Sequence, residues 1–190
     1  MLDIKKDKSS VIVLVHDGFE ETELVAPVDM MRRAGNAVSI VSMTGRKELK
    51  GAHGIVITAD SLWEDGHTVD GYNCVFLPGG GTNAKALADD MRVTKFVFSM
   101  DRRGKFICAI CAAPMVLERA GLLNGKTVTS YPGCLSNETA CRYTGAKVEK
   151  DGNIITGRGP AAAFEFGLEI VKALNGVIAY KDIVAATKAD

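Results

Sequence analysis

Cys111 lies in the run Lys105-Phe-Ile-Cys-Ala-Ile-Cys-Ala-Ala-Pro-Met-Val-Leu117, where an apolar stretch stops and a helical pattern starts. Phe106 to Ile110 suit a buried strand, and residues 112–120 suit a helix with Pro114 in its first turn and Gly121 just past its end. A side chain on such a sharp turn points into the cleft above a sheet, with the N–H groups of the following turn aimed at it. A helix N-terminus favours negative charge, so this thiol is expected to ionise more readily than a free one. Cys111 is therefore a candidate nucleophile. The pattern also suits a buried structural cysteine, and this segment alone does not separate the two readings.

Two other segments carry chemistry of the matching kind. Glu20-Glu-Thr-Glu23 opens a helix. The helix dipole accounts for Glu20 and Glu21, whereas Glu23 lies further in, on a face that turns towards the sheet. A carboxyl in a partly dry cleft beside a thiolate would have its pKa raised and would share a proton with the sulfur. Pro78-Gly-Gly-Gly81 follows a strand and precedes a helix. It lacks the spacing of a dinucleotide fingerprint or a P-loop, but its glycines allow backbone N–H groups to approach a ligand closely, as in half of an oxyanion hole.

Other chemistries are poorly supplied. Cys108 and Cys111 form a CxxC, but Cys108 falls inside the strand, and a dithiol redox pair needs both sulfurs at a helix N-terminus. The remaining cysteines lack zinc-ligand spacing and no histidine follows His67, so no metal is expected. His16, His53 and His67 do not assemble a Cys–His–Asp arrangement in the sequence.

Positioning such residues takes an α/β framework. Short apolar strands at residues 11–15, 38–41, Cys74–Leu77, Phe106–Ile110 and 127–130 alternate with helical stretches at 21–34, 83–89, 93–102, 112–120 and 160–175. Residues 51–58 read as a hairpin-like piece, and Lys-Asp-Gly-Asn within residues 148–156 is a hairpin turn signal. The alternation predicts a mostly parallel sheet with helices on both faces, in one domain over residues 1–190. Ligands in such folds sit beyond the carboxyl ends of the strands. The loops at residues 16–23, 78–83 and at Cys111 would converge there.

Composition narrows the partners. The chain is 47% hydrophobic with 23 basic and 23 acidic residues, which offers no electrostatic case for nucleic acid or an anionic membrane. The charged start and the short apolar run after it do not make a leader or a spanning helix. Five cysteines without a framework spacing suit reduced thiols in a cytoplasmic setting.

Five motifs in order then carry a resemblance: Gly18-Phe-Glu-Glu-Thr-Glu23, Asp29-Met-Met-Arg-Arg-Ala-Gly35, Phe76-Leu-Pro-Gly-Gly80, Ala109-Ile-Cys-Ala-Ala-Pro114, and Gly157-Arg-Gly-Pro160 leading into Phe164-Glu-Phe166. The chain resembles the ThiJ/PfpI superfamily from about residue 11 to 175, most closely its parkinsonism-associated deglycase and glyoxalase III branch. The resemblance implies a flavodoxin-like three-layer α/β sandwich of the class I glutamine amidotransferase type. It also implies a homodimer and cofactor-free action on a small dicarbonyl substrate or a glycated adduct. Cys111 would be the nucleophile, Glu23 the carboxyl at its sulfur, and Gly79, Gly80 and Ala112 the oxyanion-binding backbone. Arg33 and His53 fall where the family has basic residues near the dimer interface. Protease members carry a histidine directly after the nucleophile; Ala112 in its place argues against peptidase activity. The branch often has a histidine in the loop where this chain has Tyr131, which leaves Glu23 as the acid and base. The alternative function on the same residues is an oxidative-stress sensor or redox-regulated chaperone that uses Cys111 oxidation without turnover.

Overall fold

The computed structural model describes residues 8–189. The charged first residues, on which the expectation of no leader rests, lie largely outside that range. Strand β1 (Ser10–Val15) is followed by α1 (Glu21–Arg33), β2 (Ala37–Ser42), the hairpin β3 (Glu48–Lys50) and β4 (Val56–Thr58), and the short β5 (Ser61–Leu62). Then come β6 (Cys74–Leu77), α2 (Gly81–Asp89), α3 (Met91–Arg102), β7 (Phe106–Ile110) and α4 (Pro114–Arg119). The chain closes with β8 (Thr127–Val128), β9 (Arg142–Tyr143), β10 (Val148–Asp151), β11 (Ile154–Gly157), α5 (Ala163–Asn175) and α6 (Val177–Thr187).

Seven strands form the central sheet in the order β10-β11-β7-β6-β1-β2-β5. All neighbours are parallel except the β10–β11 hairpin. Alternate residues of β1 enter opposite cores. Val11, Val13 and Val15 pack with α1, α5 and α6, whereas Ile12 and Leu14 pack with α2, α3 and α4. Being covered on both faces is what makes β1, β6 and β7 read as unbroken apolar runs. This is the mostly parallel, doubly covered sheet that the alternation predicts, and the flavodoxin-like α/β sandwich that the resemblance implies.

The chain winds outward from β1 through β2 to β5, then returns to β6 and winds the other way. Strand order therefore reverses between β1 and β6, and the crevice above their carboxyl ends is the natural ligand position.

Several elements differ from the sequence reading. The strand expected at 127–130 is only β8, and it pairs with β9 outside the main sheet; Thr129 leaves the ladder to donate its N–H to Thr156 Oγ1 and its hydroxyl to Ala146 O, and Tyr131 N–H goes to Cys111 O. The helix expected from residue 112 starts at Pro114, since Cys111 to Ala113 form the turn itself. The stretch from 160 begins as a single 3-10 turn, Pro160–Ala162, before α5. Helix α6 was not anticipated. It follows Gly176, whose φ of 89° ends α5, and it buries only Ile183, so no strong apolar stripe marks it.

Candidate active site

Glu20 caps α1: its carboxylate accepts the N–H of Glu23 at 2.7 Å, the sequence-local N-cap bond. This fixes the first turn so that Glu23, one residue on from the exposed Thr22, points inward and is fully buried. The loop after β6 is stapled to the same turn, with Glu20 N–H donating to Gly79 O at 3.1 Å. Gly80 has a φ of 88°, and a Cβ there would stand 2.2 Å from Gly18 O. No other residue type permits that approach.

Asn83 completes this junction and was not singled out in the sequence. It is fully buried, donates to Pro78 O at 2.7 Å and Gly79 O at 3.1 Å, and accepts His16 N–H at 2.7 Å. One side chain thus ties the loop after β1 to the loop after β6. Its only signal in the sequence is a polar residue inside the first turn of a helix after a glycine run.

Cys111 directly follows β7 with a φ of 63°, one of two non-glycine residues with positive φ among those described. Such a conformation costs energy and is held by its surroundings. Here Cys111 N–H donates to Gly157 O at 2.8 Å, and Cys111 O accepts Tyr131 N–H at 2.8 Å. Ala112 and Ala113, both buried, leave room for the turn. The backbone N–H groups of Gly80 and Ala112 point at the sulfur and favour its charged form.

Gly79 separates Cys111 from Glu23 by less than a methyl group: a Cβ on Gly79 would lie 2.1 Å from Glu23 Oε2 and 2.6 Å from Cys111 Cβ. Neither Glu23 oxygen has a hydrogen-bond partner of full geometry among the described residues. Burial is the main reason its carboxyl is pushed up to about 7; the thiol of Cys111 and the Gly79 N–H oppose the rise, and the charge of Glu20 adds to it.

The thiol is pushed the same way, up to about 12, by burial and then by the negative charge and hydrogen bond of Glu23. This corrects the expectation that Cys111 ionises readily. The two N–H groups do lower the pKa, but burial beside a carboxylate outweighs them. The two groups hold their protons jointly, because two adjacent anions in a dry pocket repel.

Tyr131 is half exposed and roofs one side of the site. Its ring lies 3.6 Å from where a Cβ on Gly159 would be, and the same point is 4.0 Å from Glu23 Oε1. From this edge a cleft of about 360 Å³ opens between the loop at Tyr131 and the turn at Pro160.

Arg33 and His53 stand apart from the sulfur. Arg33 is half exposed and pairs with Asp29 at 2.7 Å. His53 is exposed in the β3–β4 turn and bonds through Nδ1 to Glu21 Oε2 at 2.9 Å. Glu21 is buried and also accepts the N–H groups of His53 and Ile55. Burial raises its pKa, but these bonds outweigh that and hold the carboxyl below its ordinary range. Glu21 therefore fastens the hairpin to α1, a role that the helix dipole does not describe. Glu20, Glu21 and His53 bring ligand atoms within 4.8 Å of one another, but the Glu21 oxygens are already committed to the hairpin.

Cys108 is fully buried, with its sulfur 3.5 Å from that of Cys74 on the adjacent strand. The sulfur it meets is not that of Cys111.

The geometry agrees with a known family. The model of the DJ-1/PfpI family matches residues 9–173. The chain belongs to the DJ-1/PfpI family. The Parkinson disease protein 7 homolog of Danio rerio is 39% identical over 181 residues, 94% of each chain. A deglycase of Pyrococcus abyssi is 30% identical, over 87% of this chain and 99% of that protein. Among solved structures, Drosophila melanogaster DJ-1beta superposes with a TM-score of 0.88 at 34% identity, covering 95% of this chain and 97% of that one. DJ-1 of Toxoplasma gondii, in an oxidized form, superposes with a TM-score of 0.86 at 30% identity, covering 94% and 97%. Membership in the DJ-1/PfpI family thus rests on sequence and fold over nearly the whole chain.

Proposed function

We propose that this protein is a cofactor-free enzyme that converts methylglyoxal, glyoxal or their adducts, in the manner of a glyoxalase III or deglycase, through Cys111. The observation that carries the reading is the pairing of Cys111, on a strained turn, with a buried carboxyl poised near pH 7. A base with that pKa is matched to proton transfer at neutral pH.

Glu23 takes the thiol proton as the sulfur attacks the aldehyde carbon, which relieves the unfavourable step of forming a free thiolate. The new oxyanion of the hemithioacetal lies at the N–H groups of Gly80 and Ala112, with Gly79 providing clearance. Glu23 then moves the proton from the former aldehyde carbon to its neighbour through an enediol, giving a thioester. Water cleaves the thioester to a hydroxy acid and restores the thiol. One water is consumed overall and no external oxidant is needed, because one carbon is oxidised as its neighbour is reduced. Tyr131 would bound the substrate pocket.

The Pyrococcus abyssi relative supports a deglycase-type role. Ala112 in place of a histidine supports a non-peptidase reading. The test is formation of lactate from methylglyoxal by purified protein without added cofactor; the proposal requires turnover in the wild type and none in Cys111→Ser.

The second reading, a redox sensor without turnover, is favoured by one observation: a carboxyl that keeps its proton up to about pH 7 can donate a hydrogen bond to an oxidised sulfur beside it. The oxidized Toxoplasma gondii relative fits that reading.

A homodimer over one domain is proposed as the working unit. Its support is an exposed apolar face where α1 meets the β3–β4 hairpin, with Val25, Ile55 and Val56 each more than half exposed. Arg33 and His53 lie on the same two elements. A cytoplasmic setting is supported by five free cysteines, and no helix among the described residues is long and apolar enough to cross a membrane.

A further inference from the structure

The motif Gly157-Arg-Gly-Pro160 is only half used by the site. Gly157 O holds the Cys111 N–H, and Gly159 lies beside Glu23 and Tyr131. Arg158, between them, is exposed and lines the cleft that begins at the Tyr131 and Gly159 edge of the site. Its backbone N–H donates to Lys147 O at 2.9 Å, which sets the two cationic residues side by side at the cleft wall. Lys147 is neutralised by Glu165, with Nζ at 2.6 Å from Oε1. The guanidinium of Arg158 has no hydrogen-bond or ion-pair partner among the described residues. It is an uncompensated positive charge on a wall shared with the paired Lys147 and the apolar surface of Tyr131, Pro132, Pro160 and Ala162.

A cleft of about 360 Å³ is more than a three-carbon aldehyde fills. We propose that Arg158 is the anion-binding end of this cleft and selects α-oxoaldehydes, or their adducts, that carry a carboxylate on a short apolar chain. The aldehyde end reaches Cys111, the methylenes lie on the Tyr131–Pro160 wall, and the carboxylate meets the planar fork of the guanidinium, which pairs with it through two parallel N–H bonds. The proposal rests on the reading of Cys111 as an aldehyde-directed nucleophile, and it adds the substrate class that the site prefers.

Two measurements on the full-length protein separate the ideas. The first is kcat/KM for methylglyoxal and for 4,5-dioxopentanoate, which has the same reactive end and a carboxylate two methylenes away. The ratio of anionic to neutral substrate should fall about five- to tenfold in Arg158→Ala, fall further in Arg158→Glu, and partly recover in Arg158→Lys. The change should appear in KM and shrink with added salt. An unchanged ratio across these variants overturns the proposal. The second readout needs no turnover: 4-oxopentanoate should slow iodoacetamide alkylation of Cys111 more than 2-pentanone does, and this difference should vanish in Arg158→Glu. Selective protection without consumption of either aldehyde upholds the anion site and defeats the catalytic reading. Turnover with equal ratios and no selective protection does the reverse.

Discussion

Glu23 and Cys111 meet across the bare backbone of Gly79: burial raises the proton affinity of both, the carboxylate raises that of the thiol further, and the thiol's hydrogen bond offsets part of the rise at Glu23. The pair is brought together by α1 and the end of β7, elements separated by most of the sheet in sequence. The spacing leaves no room for a side chain between them.

Gly79→Ala follows from that spacing. Its Cβ would stand 2.1 Å from Glu23 Oε2, so the carboxyl or the turn must shift. The variant should remain folded at a cost of about 1–3 kcal/mol in denaturant unfolding, as for other overpacked sites. Turnover of methylglyoxal should drop at least tenfold. Full activity with unchanged stability would mean that the two groups do not work in contact.

Stability should depend on pH through Glu23. Its folded pKa, about 7, is above the value of 4.5 for the unfolded chain, so the folded state holds the extra proton. The stability tied to that proton is complete below pH 4.5 and is lost as pH rises through 7. Glu23→Gln removes this loss. Unfolding titrations at pH 5 and pH 8 should show the variant gaining about 2–3 kcal/mol on wild type at the higher pH. A constant difference between the two would refute a buried, proton-holding Glu23.

Of the five cysteines, Cys111 should react first with limiting iodoacetamide. Cys74 and Cys108 are fully buried; Cys134 and Cys141 are reachable, but Cys111 has a carboxyl hydrogen-bonded to its sulfur that can take the thiol proton as it attacks, and two N–H groups aimed at the sulfur. Peptide mass spectrometry reads the order directly. Modification of Cys134 or Cys141 ahead of Cys111, or a Cys108–Cys111 disulfide, would contradict the assignment.

The exposed face around Val25 and Ile55 should be covered by a second copy of the chain. Sedimentation at micromolar concentration should give a dimer, and Val25→Asp should shift it towards monomer, with at least a tenfold weaker dimer constant. A wild type that sediments only as a monomer rules the dimer out.

Much of this site is legible in the sequence because its parts are local. The Cys111 turn is announced by an apolar strand, two small residues and Pro114, and Glu23 by its place on the face of α1 that turns towards the sheet. The strands Cys74–Leu77 and Phe106–Ile110 are read to the residue, since burial on both faces leaves an apolar run bounded by polar or glycine residues. The roles of Glu21 and Asn83 are not legible, because their partners lie 32 and 67 residues away along the chain. The rise of the thiol pKa is not legible for a related reason. The helix N-terminus is visible in sequence, whereas the depth of burial and the distance to a carboxylate from another element are not.

The central claim is that Glu23 moves protons for a nucleophilic Cys111. The most direct test compares methylglyoxal turnover with Cys111 alkylation in wild type and Glu23→Gln across pH 5 to 9. Wild-type kcat/KM should rise through about pH 7 as Glu23 loses its proton and becomes the base. In Glu23→Gln, turnover should fall by roughly a hundredfold or more and lose that inflection, while alkylation of Cys111 persists. Near-wild-type turnover in Glu23→Gln, with the inflection kept, would show that the carboxyl only positions the sulfur and would contradict the account.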